Sequence, residues 1–397
     1  DSCRAVPYIV ADYTAHYGMN DNNINDIYVD AKARIWIANY FNGITVCDNR
    51  YGGYLWTRHS IGNRQSLVNN QVHDVIEDSE GDLWFGTSNG ISLYKTKTGE
   101  WHSFFSTFDK ESGDKNHIFL TLCEGSPGII LAGGFTSGIY QINKRTLKVD
   151  YISSSAFFHL DLRPDQYIRD IRKDSDGNIW SGGFYNLKCF DIKRGRSRLY
   201  PGLSSINCIQ EKDRSSIWVG TSRGLYLLDK ESGNSRNIDL PVESAHVCAL
   251  YQAENGVLYI GTEGAGLLLY DPGANAFAQY HKENCALISN NIHTILPKPN
   301  GDMLLCTENG IVHFSPQNMS FSNWTREQGL MSVCFNPGAG ILRSDGRFIL
   351  GSNDGVIGFP ADIKIPRPSF SPILLSDLII SYQTVYPGEE GSPLQAS

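Results

Sequence analysis

One short string returns along almost the whole chain, and it constrains the fold more than any other feature of the sequence. Its clearest copy is Gly81-Asp82-Leu83-Trp84-Phe85-Gly86-Thr87, which follows an alternating polar and apolar stretch and precedes Gly90. Eight copies align on the position of Trp84, at residues 36, 84, 131, 180, 218, 259, 304 and 349, with a mean spacing of about 45 residues. This spacing is typical of one four-stranded β-propeller blade. The copies lack the 3.6-residue periodicity of a helical repeat of similar length.

Each copy is predicted to contain four antiparallel strands, of which the second carries the tryptophan. That strand is apolar on both sides, as expected for a strand enclosed between neighbouring blades. A blade cannot bury both of its faces alone, so the blades must stack side by side and the ring must close. Because the tryptophans share one position in their copies, we expect them to wedge between blades rather than bind a ligand; they are Trp36, Trp84, Trp180 and Trp218.

The sequence therefore predicts an all-β protein whose residues 1–362 form a β-propeller of four-stranded blades. The eight copies predict eight blades, and a seven-bladed ring with the first copy placed elsewhere is the alternative. The last copy lacks an obvious fourth strand, whereas the aromatic segment 8–17 has the character of an outermost strand. We expect residues 8–17 to pair with the final blade and so to cover an edge that would otherwise be exposed.

Charge and hydropathy exclude several classes of partner. The 397 residues include 34 Lys plus Arg and 42 Asp plus Glu, and the net charge is −8 without any basic block. This distribution argues against binding to nucleic acid or to an anionic membrane surface. No apolar run approaches the ~18 residues of a membrane span. The first residues lack the apolar core of a signal peptide, so we expect any export signal to have been removed.

The residues that usually carry catalysis or bind metals show no recognisable spacing. Nine cysteines are scattered without a Cys-x-x-Cys pair, and we expect most of them to be buried free thiols. No His-Glu-x-x-His or phosphate-binding loop is present. His73, His246 and His293 lie in first strands and are interpreted as structural rather than as ligands. We therefore predict no catalytic residue, no metal site and no cofactor.

Candidate ligand-binding residues lie in the loops that share one face of a propeller. These loops precede the first strand or join the second strand to the third, and several carry aromatic residues beside polar ones. Sugar rings stack on aromatic side chains while their hydroxyls bind polar groups, so this combination suits a carbohydrate. Ordinary polar loops with incidental aromatic residues are the alternative. The candidate residues are Tyr40, Phe41, Phe135, Tyr167, Phe184, Tyr185, Arg223 and Glu263.

The repeat itself resembles that of a known family. Residues 70–94 closely resemble the two-component-regulator propeller repeat, which is found in the sensor regions of hybrid two-component systems that gut Bacteroidetes use to detect glycans. The resemblance extends over roughly residues 20–360. The run Pro372-Ile373-Leu374-Leu375-Ser376-Asp377-Leu378-Ile379-Ile380 resembles the opening strands of the immunoglobulin-like domain that follows such a propeller. Residues 363–397 are thus expected to be a linker and the beginning of that domain, since a complete sandwich needs about 100 residues.

The resemblance implies a function. It implies a non-catalytic periplasmic sensor that recognises a glycan-derived oligosaccharide and signals to a histidine kinase. The expected partners are the oligosaccharide and the downstream immunoglobulin-like, membrane and kinase segments of the same protein, and a homodimer is left open. Two alternatives remain: a propeller polysaccharide lyase or glycosidase, and a platform for protein interactions.

Overall fold

The computed structural model describes residues 23–31, 34–41, 43–48, 54–105, 117–135, 138–160, 167–243, 245–363, 378–380 and 383–385. Nearly all regular structure in these residues is antiparallel β-sheet. Strands β1 to β3 form a three-stranded sheet of their own. Their bounds are Ile24–Val29, Arg34–Asn39 and Ile44–Asp48. The next strand, β4 (Leu55–Thr57), belongs to a sheet whose other strands come from the end of the repeats.

Seven four-stranded sheets follow the predicted repeat, and each is one blade. Six of them use four consecutive strands, with the first strand at one edge and the fourth at the other. Blade 1 contains β5–β8 (Val72–Glu77, Leu83–Thr87, Gly90–Lys95, Glu100–Phe104) and blade 2 contains β9–β12 (Phe119–Glu124, Ile129–Gly134, Gly138–Asn143, Val149–Ser153). Blade 3 contains β13–β16 (Ile168–Lys173, Ile179–Gly183, Leu187–Asp191, Arg196–Tyr200) and blade 4 contains β17–β20 (Ile206–Asp213, Ser216–Thr221, Gly224–Asp229, Ser235–Ile238).

The remaining blades complete the ring. Blade 5 contains β21–β24 (His246–Gln252, Leu258–Glu263, Leu267–Asp271, Ala276–Tyr280) and blade 6 contains β25–β28 (Thr294–Pro297, Met303–Thr307, Gly310–Ser315, Ser320–Trp324). Blade 7 contains β29–β31 (Phe335–Leu342, Arg347–Ser352, Gly355–Pro360) and takes β4 as its fourth strand. One helical turn, α1 (Ser154–Phe158), follows β12, and a 3₁₀ turn spans Arg326–Gln328. Within the described residues, no helix is long and apolar enough to cross a membrane.

The β-propeller predicted from the repeat is confirmed, and the ring has the seven blades of the alternative. The first strands contact one another in order around the ring, and β29 of blade 7 packs directly against β5 of blade 1. Asn336 donates a hydrogen bond to the carbonyl of Val72 across this junction, at 2.8 Å. The ring therefore closes without the first copy of the repeat, which forms the separate sheet β1–β3.

The closing strand is also different from the predicted one. Strand β4, not the segment 8–17, pairs with β31, with Trp56 opposite Ile357. The Trp56 indole donates to the Asp354 carbonyl at 2.8 Å, and Arg58 forms an ion pair with the Asp354 carboxylate at 2.7 Å. Because the ring contains only the second to eighth copies, its fourth outer strand comes from the segment just before the second copy. Residues 8–17 lie outside the described residues.

The repeated tryptophans pack between neighbouring blades. Trp84, Trp180 and Trp218 are at most 1% exposed, whereas Trp36 on the separate sheet is only half-buried. The Trp84 indole also donates to the Asp78 carboxylate at 2.9 Å, and Trp180 bonds Asp174 at the same distance. The Asp/Gly turn predicted from the sequence thus anchors the wedge as well as reversing the chain.

Two faces of the ring are distinguished by their loops. The upper face carries the loops that join second to third strands and the segments that precede first strands. Backbone hydrogen bonds tie these together within a blade, such as Ser88 N to Gln71 O and Phe135 N to Ile118 O. The lower face carries the other loops of each blade. Gly90, which begins a third strand, has φ +107°, and a Cβ there would collide with the Phe104 carbonyl, so the tight upper turn needs glycine.

Two compact units divide the chain, Asp1–Ile365 and Pro366–Ser397. In the second unit, β32 (Leu378–Ile380) and β33 (Gln383–Val385) form an antiparallel hairpin. The assignment of this unit to an immunoglobulin-like domain stays a prediction.

Candidate functional site

Four of the predicted residues form a continuous aromatic ridge on the upper face of blades 2 and 3. Tyr167 precedes β13 and connects Phe135, which follows β10, to Phe184, which follows β14. The ring centroids of Phe135 and Tyr167 are 5.6 Å apart, those of Tyr167 and Phe184 6.2 Å, and those of Phe184 and Tyr185 4.8 Å. These edge and tilted contacts fix the rings relative to one another.

The ridge remains accessible although its rings touch. Phe135 is 55% exposed, and Phe184 and Tyr185 are 37% and 38% exposed. The equivalent loop of blade 1 carries Ser88 and Asn89, so the blade architecture itself does not require an aromatic side chain here. An apolar patch that the core does not need is typical of a binding surface.

A polar rim continues from the ridge into blades 4 and 5. Ser205 donates from its backbone to the Phe184 carbonyl at 3.0 Å, and Ser222 donates to the Ser205 carbonyl at 3.0 Å. Arg223 follows Ser222 and lines a cleft of about 320 Å³ together with the segment that connects β20 to β21. In the described part of the chain, the Arg223 guanidinium has no carboxylate partner.

Glu263 is the last residue of β22, lies on the same face and already contacts another side chain. Its carboxylate lies 3.0 Å from Nδ1 of His246, which stands opposite it in the strand register. Both side chains are partly exposed, at 54% and 39%. Glu263 can therefore bind a ligand only in competition with, or together with, His246.

Tyr40 and Phe41 lie on a different element from the other candidates. They form the loop between β2 and β3 of the separate sheet, are 66% and 76% exposed, and contact each other with ring centroids 4.6 Å apart. The sheet β1–β3 is not one of the seven blades, so these two residues do not belong to the ridge. A binding role for them stays a prediction.

A second set of candidate residues was not predicted as a site from the sequence, because β-bulges position them. In five blades the register of the first strand shifts by one residue near its start, and the unpaired residue faces the central channel. A period-2 pattern gives no sign of such a shift. The bulged residues, all of which line one small cavity in the channel, are His73, Leu120, Arg169, Asn207 and Cys248.

The polar side chains near the channel differ in whether they have hydrogen-bond or ion-pair partners. His73 bonds the Ser88 hydroxyl at 2.7 Å, and burial together with the charge of Arg169 lowers the pKa of His73 to about 4, so it is neutral at pH 7. His293 bonds the Phe335 carbonyl at 2.6 Å. Asn207 donates to the Val247 carbonyl at 3.0 Å. Arg169 has no ion pair within the described residues, and it lines the same small cavity as His73 and Asn207.

Comparison with known proteins identifies the repeat. Residues 66–89 and 163–185 match the two-component regulator propeller family. At these two segments the chain carries the two-component regulator propeller repeat. These matched segments contain β5, β6 and the ridge residues Tyr167, Phe184 and Tyr185.

One curated relative is a histidine kinase, named histidine kinase P4, of Formosa agariphila. It is 26% identical over 396 residues, a stretch that covers 92% of this chain but only 27% of the relative. The chain therefore spans about a quarter of the length of that kinase.

Solved structures share the fold at low identity. The extracellular domain of one hybrid two-component system from B. thetaiotaomicron superimposes with a TM-score of 0.73 at 20% identity, covering 94% of this chain and 51% of that one. A second such domain from the same organism gives 0.62 at 18% identity, covering 78% and 40%. A streptogramin B lyase gives 0.60 at 14% identity, covering 78% and 98%. At these identities the comparisons establish a β-propeller and nothing finer.

Proposed function

We propose that this chain is a non-catalytic sensor domain of a hybrid two-component regulator and that it works in the periplasm. The propeller repeat and the histidine kinase relative support the signalling role. The two B. thetaiotaomicron neighbours, which are extracellular domains, support a location outside the cytoplasm. In the whole protein, an immunoglobulin-like domain, a membrane helix and the kinase would follow, and residues 366–397 would begin the first of these.

The proposed ligand is an oligosaccharide that stacks on the aromatic ridge. The observation that carries this proposal is the ridge itself, since exposed rings in ring-to-ring contact present an apolar surface of ring faces and edges where the fold does not require one. A pyranose ring offers C–H groups to such a surface and hydroxyls to polar neighbours. Arg169 in the channel and Arg223 on the rim supply guanidinium groups that suit hydroxyls or a uronic carboxylate.

The test is a binding screen of the 397-residue chain against neutral and acidic oligosaccharides. A specific ligand at 100 times its dissociation constant should stabilise the fold by about 2.7 kcal/mol, which a thermal-shift assay detects. Calorimetry should then show that Phe184→Ala or Tyr185→Ala weakens binding by about 1–3 kcal/mol while the melting temperature barely changes.

A matched control separates ridge effects from the general loss of an exposed ring. Tyr151 is 50% exposed on β12, the outermost strand of blade 2, so Tyr151→Ala should leave binding unchanged. Equal binding by wild type and both ridge variants would refute the ridge as the site.

Turnover of a sugar by the isolated chain would instead support the lyase or glycosidase alternative. Binding of a protein partner with no response to any sugar would support the interaction platform.

A further inference from the structure

Three side chains with different donor atoms converge in blade 5 where the channel meets the upper face. A ring nitrogen of His246, Cys248 Sγ and a carboxylate oxygen of Glu263 all lie within 4.8 Å of one another. His246 begins β21, Glu263 ends β22, and the two are opposite each other in the register. Among the residues that the structure describes, no other group of three such side chains is so close.

The positions of the three residues in β21 and β22 explain the convergence. In a regular strand, alternate residues share a face, and Cys248 is two residues after His246. The register shift between Val247 and Ala249 leaves Cys248 unpaired at the channel wall, on the side where the His246–Glu263 pair lies. The strand pair thus brings a thiol to an imidazole and a carboxylate that already touch.

The donor set determines which ion would suit the position. An imidazole nitrogen, a thiolate sulfur and a carboxylate oxygen together favour Zn²⁺ and chemically similar ions over Mg²⁺ and Ca²⁺, which prefer oxygen donors. Zn–N, Zn–O and Zn–S bonds are about 2.0–2.3 Å, so tetrahedral ligands stand roughly 3.3–3.8 Å apart. The His246–Glu263 separation is 3.0 Å and all three donor atoms lie within 4.8 Å of one another, so the side chains need only small adjustments to reach that range.

We propose that His246, Cys248 and Glu263 form a binding site for one divalent transition-metal ion such as Zn²⁺. Three protein ligands leave a fourth coordination position for water or for an anionic group of a ligand. Cys248 is 7% exposed and His246 and Glu263 are partly exposed, so an ion can enter from the upper face without unfolding of the blade. Burial raises the pKa of the Cys248 thiol to about 12, so metal binding must displace its proton.

The site is tested on the whole chain with two metal probes. Calorimetry should show one Zn²⁺ bound per chain. Co²⁺ should produce the near-ultraviolet charge-transfer absorption of a cobalt–thiolate bond. Cys248→Ser should abolish that absorption, and Glu263→Gln, at an exposed position that cannot disrupt the core, should weaken Zn²⁺ binding at least about tenfold. Melting curves without metal verify that both variants remain folded.

Matched controls come from the segment between β24 and β25, where a histidine, a glutamate and a cysteine occur without the same convergence. His281 Nδ1 lies 2.7 Å from Glu283, and the Cys285 thiol donates to the His281 carbonyl at 3.3 Å, but in the described residues these three side chains do not form a convergent group as those of blade 5 do. His281→Gln and Cys285→Ser should leave both metal signals unchanged. Failure to bind Zn²⁺, a cobalt–thiolate absorption that survives Cys248→Ser, or equal competition by Mg²⁺ would each overturn the assignment.

Discussion

Lys144 lies among three carboxylates on the lower face, where blade 1 meets blade 2. Its Nζ is 2.7 Å from Glu124, 3.3 Å from Glu80 and 3.4 Å from Asp78, and its side chain is only 2% exposed. Asp78 also accepts the Trp84 indole hydrogen bond at 2.9 Å. Lys144 therefore neutralises a buried carboxylate that holds the inter-blade wedge in place.

Lys144→Met should lower the free energy of unfolding by about 3 kcal/mol at neutral pH. Methionine keeps the apolar stem but leaves the carboxylates without their cation, and removing one partner of a buried ion pair costs roughly 3–5 kcal/mol. We expect the lower end of this energy range because Glu80 is 57% exposed and its carboxylate can turn to solvent. Denaturant unfolding measures the loss, provided that the slope of the transition is unchanged.

Lys148→Met is the matched control in the same blade. Lys148 is 75% exposed and 3.5 Å from an exposed Asp150, so its removal should change stability by less than about 0.5 kcal/mol. A loss below about 1 kcal/mol in Lys144→Met, or an equal loss in the control, would refute the argument from burial.

The cost of Lys144→Met should depend on pH in a defined direction. Burial alone would raise the pKa of Asp78 and Glu124, but hydrogen bonds from Trp84 to Asp78 and from Lys144 and Ser79 to Glu124 outweigh it and lower both values. Carboxylates with a lowered folded pKa stabilise the fold above their unfolded pKa, and this contribution is lost as pH falls through the folded pKa. The difference between wild type and variant should therefore shrink as the solution becomes more acidic than about pH 4. A constant difference from neutral to acidic pH would contradict this account.

Two further predictions concern the wedge and the closure of the ring. Trp84→Ala should cost about 3–5 kcal/mol, because a side chain with no exposed surface leaves a cavity between blades; a loss under about 1 kcal/mol in chemical unfolding would contradict the wedge. A chain that begins at residue 59 should melt at a lower temperature than one that begins at residue 53, because only the longer chain keeps Leu55–Thr57 on the edge of Gly355–Pro360. Equal melting temperatures would show that β4 does not close the ring.

The strands could be predicted from the sequence because the repeat fixes both their spacing and their buried positions. The number of blades could not, because a copy that forms a separate sheet has the same pattern as one inside the ring. Trp36 and Trp84 occupy equivalent positions, yet only Trp84 is enclosed between blades. Closure depends on which first strand β29 meets, and this is a long-range contact that no local pattern encodes. The same reason accounts for the wrong choice of residues 8–17 over Leu55–Thr57 as the fourth strand of blade 7.

The candidate site was only partly predictable for a related reason. The ridge residues could be found because an aromatic side chain in a loop stands out against small polar residues in the equivalent loops. The channel residues could not, because Arg169 and Cys248 stand at one-residue register shifts that a period-2 pattern does not reveal. The proximity of His246 to Glu263 likewise depends on strand pairing across 17 positions of the chain, which spacing alone does not reveal.

The lower face carries contacts that stabilise the ring, whereas the proposed recognition surface lies on the upper face. On the lower face the same contact recurs: Glu124 accepts both the amide and the hydroxyl of Ser79, Glu211 does so for Ser175, and Glu77 does so for Ser344 across the closing junction. A basic side chain completes each contact, namely Lys144, Lys230 or Arg343.

On the upper face the equivalent bulge positions carry a different side chain in each of five blades. Because the main-chain hydrogen bonds of the ladder resume on either side of each bulge, the identity of the bulged residue matters little to the sheet. The channel can therefore present an imidazole, a guanidinium, an amide and a thiol side by side without weakening the contacts that hold the ring together. A ring built in this way can change what it binds by substitution at a few upper positions, while the lower face and the tryptophan wedges keep the blades in register.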